Sequence, residues 1–148
     1  MTAQSIQHRF WPHGSCFGCG PANTAGLQLQ SFPNDERLLI ADWTPRQEHC
    51  ASVGVVCGGI LATVLDCHAA AAAAHALTQR EGRFTAVVTK SFSIELLKPT
   101  PLLPLHLCAH VTELRTRSAA VEAWVETGQG EISVRFTGVF VVPPSNAA

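Results

Sequence analysis

The chain is short of charge. Only 14% of its 148 residues are Asp, Glu, Lys or Arg, the net charge is −1, and no basic cluster stands out, which argues against a nucleic-acid partner. No apolar run reaches membrane-spanning length without a polar interruption, because Asp66 and His68 sit inside the longest one, so no membrane is expected. The segment Met1 to His8 lacks the hydrophobic core of a signal peptide, so a cytoplasmic protein is expected. There is no internal repeat and no sign of a second domain. Residues 1–148 are expected to form one domain, with 1–25 an irregular N-terminal arm and 143–148 a frayed tail.

Six cysteines without a secretion signal should be reduced thiols, and Cys67 and Cys108 fall in segments that look like core. Cys16 and Cys19 form a Cys-x-x-Cys pair with His8 and His13 upstream. The second half of a zinc pattern is missing, and the pair lacks the preceding strand and following helix of a redox motif. Neither a metal nor a cofactor is expected.

The most informative stretch opens on Gly58-Gly59 and runs without proline or further glycine to Gly82. It predicts one long helix over about Gly59 to Arg80 with a glycine C-cap. Apolar residues or alanines fill nearly every position from Ile60 to Ala76, so the helix should be buried almost all round, as when a sheet wraps it. Its single acid, Asp66, is costly to desolvate unless something holds it. It either bonds a nearby backbone group or serves as a general base or nucleophile poised by burial. At the other end, the first helical turn leaves N–H groups unpaired, and the glycines let a ligand approach that backbone, which suits an oxyanion. Gly58 and Asp66 are eight positions apart, about 12 Å along a helix, too far for both to grip one carbonyl. A two-fold dimer could instead bring Gly58 of one chain to Asp66 of the other.

Around the helix the pattern is β. Gly26 to Phe32 alternates and reads as a strand, with Arg37 to Trp43 its hairpin partner across Pro33-Asn34-Asp35-Glu36. Thr44 to Cys57 is a loop rimming the helix start, and its His49 is a candidate substrate-binding residue. Phe84 to Leu97, Leu105 to Glu113, Ala119 to Glu126 and Ile132 to Val142 are four further strands. Two strands, one helix and four strands argue an α+β domain with an antiparallel sheet on that helix.

This arrangement resembles the hotdog-fold acyl-CoA thioesterases, in particular the PaaI-like branch. The resemblance rests on Gly54-Val55-Val56-Cys57-Gly58-Gly59 followed seven residues later by Asp66, beside the family's G-x-x-H-G-G and its acid. Cys16-Phe17-Gly18-Cys19-Gly20 with Asn23 and Gly26-Leu27, and Thr89 through Leu97-Lys98-Pro99, are similar to two further family segments. It implies a sheet of five to six strands around the helix and an oligomer, dimer or tetramer, that hydrolyses an acyl-CoA or related thioester. It also implies that Asp66 activates water or attacks the thioester carbonyl, that the Gly58 N–H polarises that carbonyl, and that Thr89 orients the water or the acid. Cys57 and Gly59 would line the approach.

Cys57 stands where the family usually has histidine. A cysteine at a helix start can become nucleophilic, or be a small tolerated residue. A non-catalytic acyl-thioester-binding protein is therefore the alternative. A hydratase is disfavoured, since His68 is two residues from Asp66 and points elsewhere on the helix. The acyl group is not set by the sequence. The alanines could leave room for it or simply permit close sheet packing. For the phosphates of CoA, Arg37, Arg46, Arg80, Arg83, Lys90 and Lys98 are candidates.

Overall fold

A computed structural model describes residues 3–34 and 36–144. In chain order it contains α1 (Ile6–Phe10), β1 (Phe32–Pro33), β2 (Leu39–Trp43), a 3₁₀ turn (Gln47–His49), β3 (Cys50–Ser52), β4 (Val55–Val56), α2 (Gly58–Glu81), β5 (Val88–Leu96), β6 (Leu105–Leu114), β7 (Ser118–Glu126) and β8 (Ile132–Val141). Six strands form one antiparallel sheet in the order β1-β2-β6-β7-β8-β5, and β3 with β4 makes a separate small hairpin. The sheet packs on α2, which contacts β2, β5, β6, β7 and β8. This is the hotdog arrangement.

The helix forms where the sequence says it should. Gly82 closes it in the left-handed region, φ 74°, with its N–H on the Thr78 carbonyl at 2.9 Å, a conformation glycine adopts without a Cβ penalty. Ala69, Ala71, Ala73 and Ala74 are buried, so these alanines let helix and sheet approach closely. Burial is one-sided, however. Gly59, Ala62, Thr63, Asp66 and Ala70 lie on a less covered strip at helical spacing, so the expectation of an all-round buried helix needs correcting. By length and mean hydropathy, 1.5, α2 would suffice to cross a membrane despite Asp66 and His68, yet 61% of that stretch is buried within the fold.

The expected strand at Gly26 to Phe32 is not one; only Phe32–Pro33 pairs with β2. Leu27, Leu29 and Ser31 are buried, so the alternation reported burial correctly, but the backbone bonds go elsewhere. Leu27 N–H donates to Phe17 O at 2.7 Å, Leu29 N–H to Gly18 O at 3.0 Å, and Ser31 N–H to Gln7 Oε1 at 2.8 Å. The arm consumes the hydrogen bonds that a sheet neighbour would have taken. The arm is not wholly irregular either: Ser5 caps α1, accepting from His8 N–H at 3.1 Å. Of the expected turn, Asp35 lies outside the described residues, as do Ser145 to Ala148 of the expected tail.

A buried polar chain locks this arm to the core. Gln7 Nε2 donates to Ser31 Oγ at 3.1 Å, Ser31 Oγ donates to His68 Nδ1 at 2.8 Å, and His68 Nε2 donates to Leu39 O at 2.9 Å. Burial holds His68 neutral, with its pKa pulled down to about 4, which matches one donor and one acceptor nitrogen. Ser31→Ala leaves Gln7 and His68 facing an apolar methyl. Urea unfolding should show a loss of about 1–3 kcal/mol, against no measurable change for Gln30→Ala on the exposed side.

Candidate functional site

Asp66 sits on the less covered strip of α2, and its carboxylate is held by β5: the Thr89 hydroxyl donates to Asp66 Oδ1 at 2.8 Å. A bulge makes this possible. The β5–β8 register shifts between Thr89 and Ser91, so the extra residue, Lys90, inverts the alternation that follows. Thr89 therefore shares the helix-facing side with Phe92, which stacks on the buried Phe136 ring at 5.1 Å, although simple alternation would put them on opposite faces. Burial pushes the Asp66 carboxyl above its ordinary pKa, the Thr89 hydroxyl pulls it back, and charge on Cys16 pushes it up again. The acid is thus half-desolvated and aimed.

The start of α2 is the second part. Cys57 occupies the N-cap, its thiol making no capping bond, while its carbonyl accepts from Ile60 and Leu61 N–H at 3.0 and 3.1 Å. Among the described residues, the N–H groups of Gly58 and Gly59 have no hydrogen-bond partner, which leaves two donors at the positive end of the helix. Gly58 lies against β5, where a Cβ would come within 2.8 Å of Leu96 Cδ1, the end of a half-exposed side chain that can turn away. A cleft of about 290 Å³ opens here, lined among others by Gly58, Leu61, Leu96, Leu97 and Lys98. The structure thus joins Asp66 with Thr89, and separately Gly58 with the cleft; within one chain the helix start and Asp66, eight positions along α2, stay apart.

His49 falls outside both. Its ring is buried, stacks on Trp43 at 5.5 Å and accepts from Arg46 N–H on Nδ1 at 2.9 Å; burial lowers its pKa. Its contribution to the helix start is through the backbone, where its carbonyl receives Cys57 N–H at 2.8 Å. Sequence reasoning nominated it for its loop position, and nothing local in the sequence signals the Arg46 and Trp43 contacts.

A third grouping escaped the sequence. Cys67, on α2, meets Cys16 and Cys19 of the arm, all three sulfurs lying within 4.8 Å of one another. The Cys16–Cys19 pair and the burial of Cys67 were legible separately, the first set aside for want of further ligands and the second read as packing. The Cys16 thiol is lowered to about 5 because Cys67 donates to it, helped by the N–H groups of Cys19 and Gly18 and opposed by burial. Cys67 is pushed up correspondingly.

Comparison with known proteins agrees with this architecture. The closely similar folds include a thioesterase superfamily protein from Shewanella loihica PV-4, 29% identical with a TM-score of 0.65, covering 84% of this chain and 98% of its own. The BH2602 protein from Bacillus halodurans, solved with CoA, is 25% identical with a TM-score of 0.68, over 81% of this chain and 77% of its own. The PaaI protein of the E. coli phenylacetic acid degradation operon shares the fold at 18% identity, with a TM-score of 0.69 over 95% of this chain and 97% of its own. The chain spans 60% of the length of another thioesterase superfamily protein, RHA08564. No curated protein sequence matches it. The family profile of the Thioesterase superfamily matches residues 53–134, more than half of the chain, from the loop before α2 through β5, β6 and β7 into the start of β8. With the six-stranded sheet on one helix, that match makes the chain a member of the thioesterase superfamily.

Proposed function

We propose that the protein hydrolyses an acyl-CoA, or a related acyl thioester, to a free acid and a thiol, in sites shared between two chains of a homodimer. The observation that carries this reading is the Thr89–Asp66 hydrogen bond at the α2–β5 seam, which aims a half-buried carboxylate at the uncovered strip of the helix. The CoA bound to the Bacillus halodurans relative supports the substrate class.

In this scheme Asp66 either removes a proton from water or itself attacks the thioester carbonyl. The Gly58 N–H of the other chain, with Gly59 beside it, receives the developing oxyanion. A well-placed donor of this kind is worth a few kcal/mol of transition-state stabilisation. Collapse of the tetrahedral species expels the thiolate; where water attacked, this yields the free acid directly, and where Asp66 attacked, it leaves an acyl anhydride on Asp66 that water then hydrolyses to the free acid. Thr89 holds Asp66 in place. Of the six basic candidates for the CoA phosphates, Lys98 lines the cleft beside Gly58, and its exposed pair with Glu131 at 3.3 Å is weak enough to be exchanged for a phosphate.

The dimer is supported by β5. Among the described residues it is an edge strand whose one partner is β8, and Val88, Phe92 and Leu96 on it are 49%, 44% and 55% exposed. An open edge carrying apolar side chains invites pairing with another chain. Pairing along β5 would place the α2 starts and the Asp66 residues of two chains along one seam, in the isologous manner that the helix spacing requires.

Two outcomes are expected. Asp66→Asn should keep its circular dichroism and lose release of CoA from a panel of short, medium, long and aryl acyl-CoAs, followed by chromatography because the protein's own thiols would react with a thiol dye. Thr89→Val should lose on the order of tenfold in kcat. Turnover that survives in Asp66→Asn would move the chemistry elsewhere, to Cys57 first, and ligand binding without turnover in the wild type would leave a binding protein. Phe92→Asp should convert the dimer to a monomer in light scattering and abolish turnover with it.

A further inference from the structure

We propose that Cys16, Cys19 and Cys67 form a binding site for one thiophilic divalent cation of the zinc class. The loop and the helix supply it from distant parts of the chain: Cys16 and Cys19 flank Phe17-Gly18 in the arm, and Cys67 lies on α2 beside Asp66. A zinc ion bound at about 2.3 Å by tetrahedral thiolates sets its sulfurs about 3.8 Å apart. Cys16 Sγ and Cys67 Sγ are 3.7 Å apart, and no pair in the trio exceeds 4.8 Å, so binding requires at most about 1 Å of closure. A disulfide would need the same pair to close to about 2.05 Å and would leave Cys19 without a role.

The loop is shaped for sulfur. Gly18 lies directly against Cys67, where any Cβ would collide with its Sγ, and a Cβ on Gly20 would run into the Cys16 backbone. The Gly18 and Cys19 N–H groups turn toward Cys16 Sγ, an arrangement that favours a thiolate over a thiol. The loop is rigid rather than pliant: Gly20 N–H bonds Cys16 O at 2.8 Å, and the carbonyls of Phe17 and Gly18 take the amides of Leu27 and Leu29. Two of the three sulfurs are buried and Cys16 is exposed, which gives the cation a way in. Among the described residues no fourth His, Cys, Asp or Glu donor joins the cluster, so water or an external thiol completes the shell. Binding releases the thiol protons.

The bound cation would clip the arm to α2 one residue from Asp66. The cluster contributes no group to the acyl-transfer scheme above, although the charge on Cys16 is felt at Asp66.

The test is a titration of the reduced, metal-stripped protein with Co²⁺ under argon, with displacement by Zn²⁺. One equivalent of cobalt should produce thiolate-to-metal charge-transfer absorption, and zinc should abolish it at one equivalent. Cys16→Ser, a change on the exposed loop, should lose that absorption and weaken zinc binding at least tenfold, as should Cys19→Ser. Cys108→Ser, which removes a buried thiol outside the cluster, should titrate like the wild type. Absence of charge-transfer absorption in the fully reduced wild type would overturn the site. So would absorption that persists in Cys16→Ser and Cys19→Ser, or a wild type that purifies with Cys16 and Cys67 joined and takes up cobalt only at other thiols.

Discussion

One hydrogen bond, from the Thr89 hydroxyl to the Asp66 carboxylate, is the point on which the arrangement turns. A carboxylate in the middle of an alanine-rich core helix is expensive unless it is bonded, and the bond can form only if β5 presents Thr89 toward the helix. That in turn demands the bulge at Lys90, since β5 must also turn Phe92 to the helix side, where one face of its ring stacks on Phe136 and the rest stays exposed at the open edge. The far end of the same strand meets the helix start where Leu96 lies against Gly58. Helix and edge strand are thus joined at two places, and each place carries one half of the proposed chemistry.

The other side of the molecule serves to keep α2 fixed. The chain Gln7–Ser31–His68–Leu39 ties the arm, the helix and β2 together through groups that have no access to water. The glycine-rich loop around Cys16 and Cys19 lies against the helix one residue beyond the acid. In the proposed reading, the face of the helix near Asp66 is held from two sides while the third, along β5, is left open for a second chain.

Much of this was legible in the sequence. The Gly58-Gly59 start and the Gly82 stop located α2 to within a residue, and β6, β7 and β8 match their alternating runs closely. The α+β arrangement followed from those elements, and the superfamily from the resemblance carried by Gly54 to Asp66 and two shorter segments. What was lost were contacts that composition cannot report. The alternation from Gly26 to Phe32 signalled burial, but whether a buried extended segment pairs with a sheet or with a loop depends on where its amides find partners. The Lys90 bulge leaves no mark in the sequence, so Thr89 could be nominated only by resemblance. His49 looked like a rim residue because its stacking on Trp43 is a tertiary contact. Cys67 looked like ordinary core because its partners lie about fifty positions away, beyond the reach of any spacing rule.

The central claim is that each reacting centre draws its acid from one chain and its oxyanion donor from the other. Refolding an equal mixture of Asp66→Asn and Gly58→Pro chains tests it most directly. Proline suits the first helical position and the extended conformation of Cys57, φ −59° and ψ 131°, so Gly58→Pro removes a single N–H at little cost to the helix, its Cβ displacing only Leu96 Cδ1, the end of a half-exposed side chain. Each variant alone should be inactive. In mixed dimers one of the two sites regains both groups, so the mixture should recover about a quarter of the wild-type rate at random pairing. A mixture no more active than its two components would contradict the shared site and return the chemistry to a single chain.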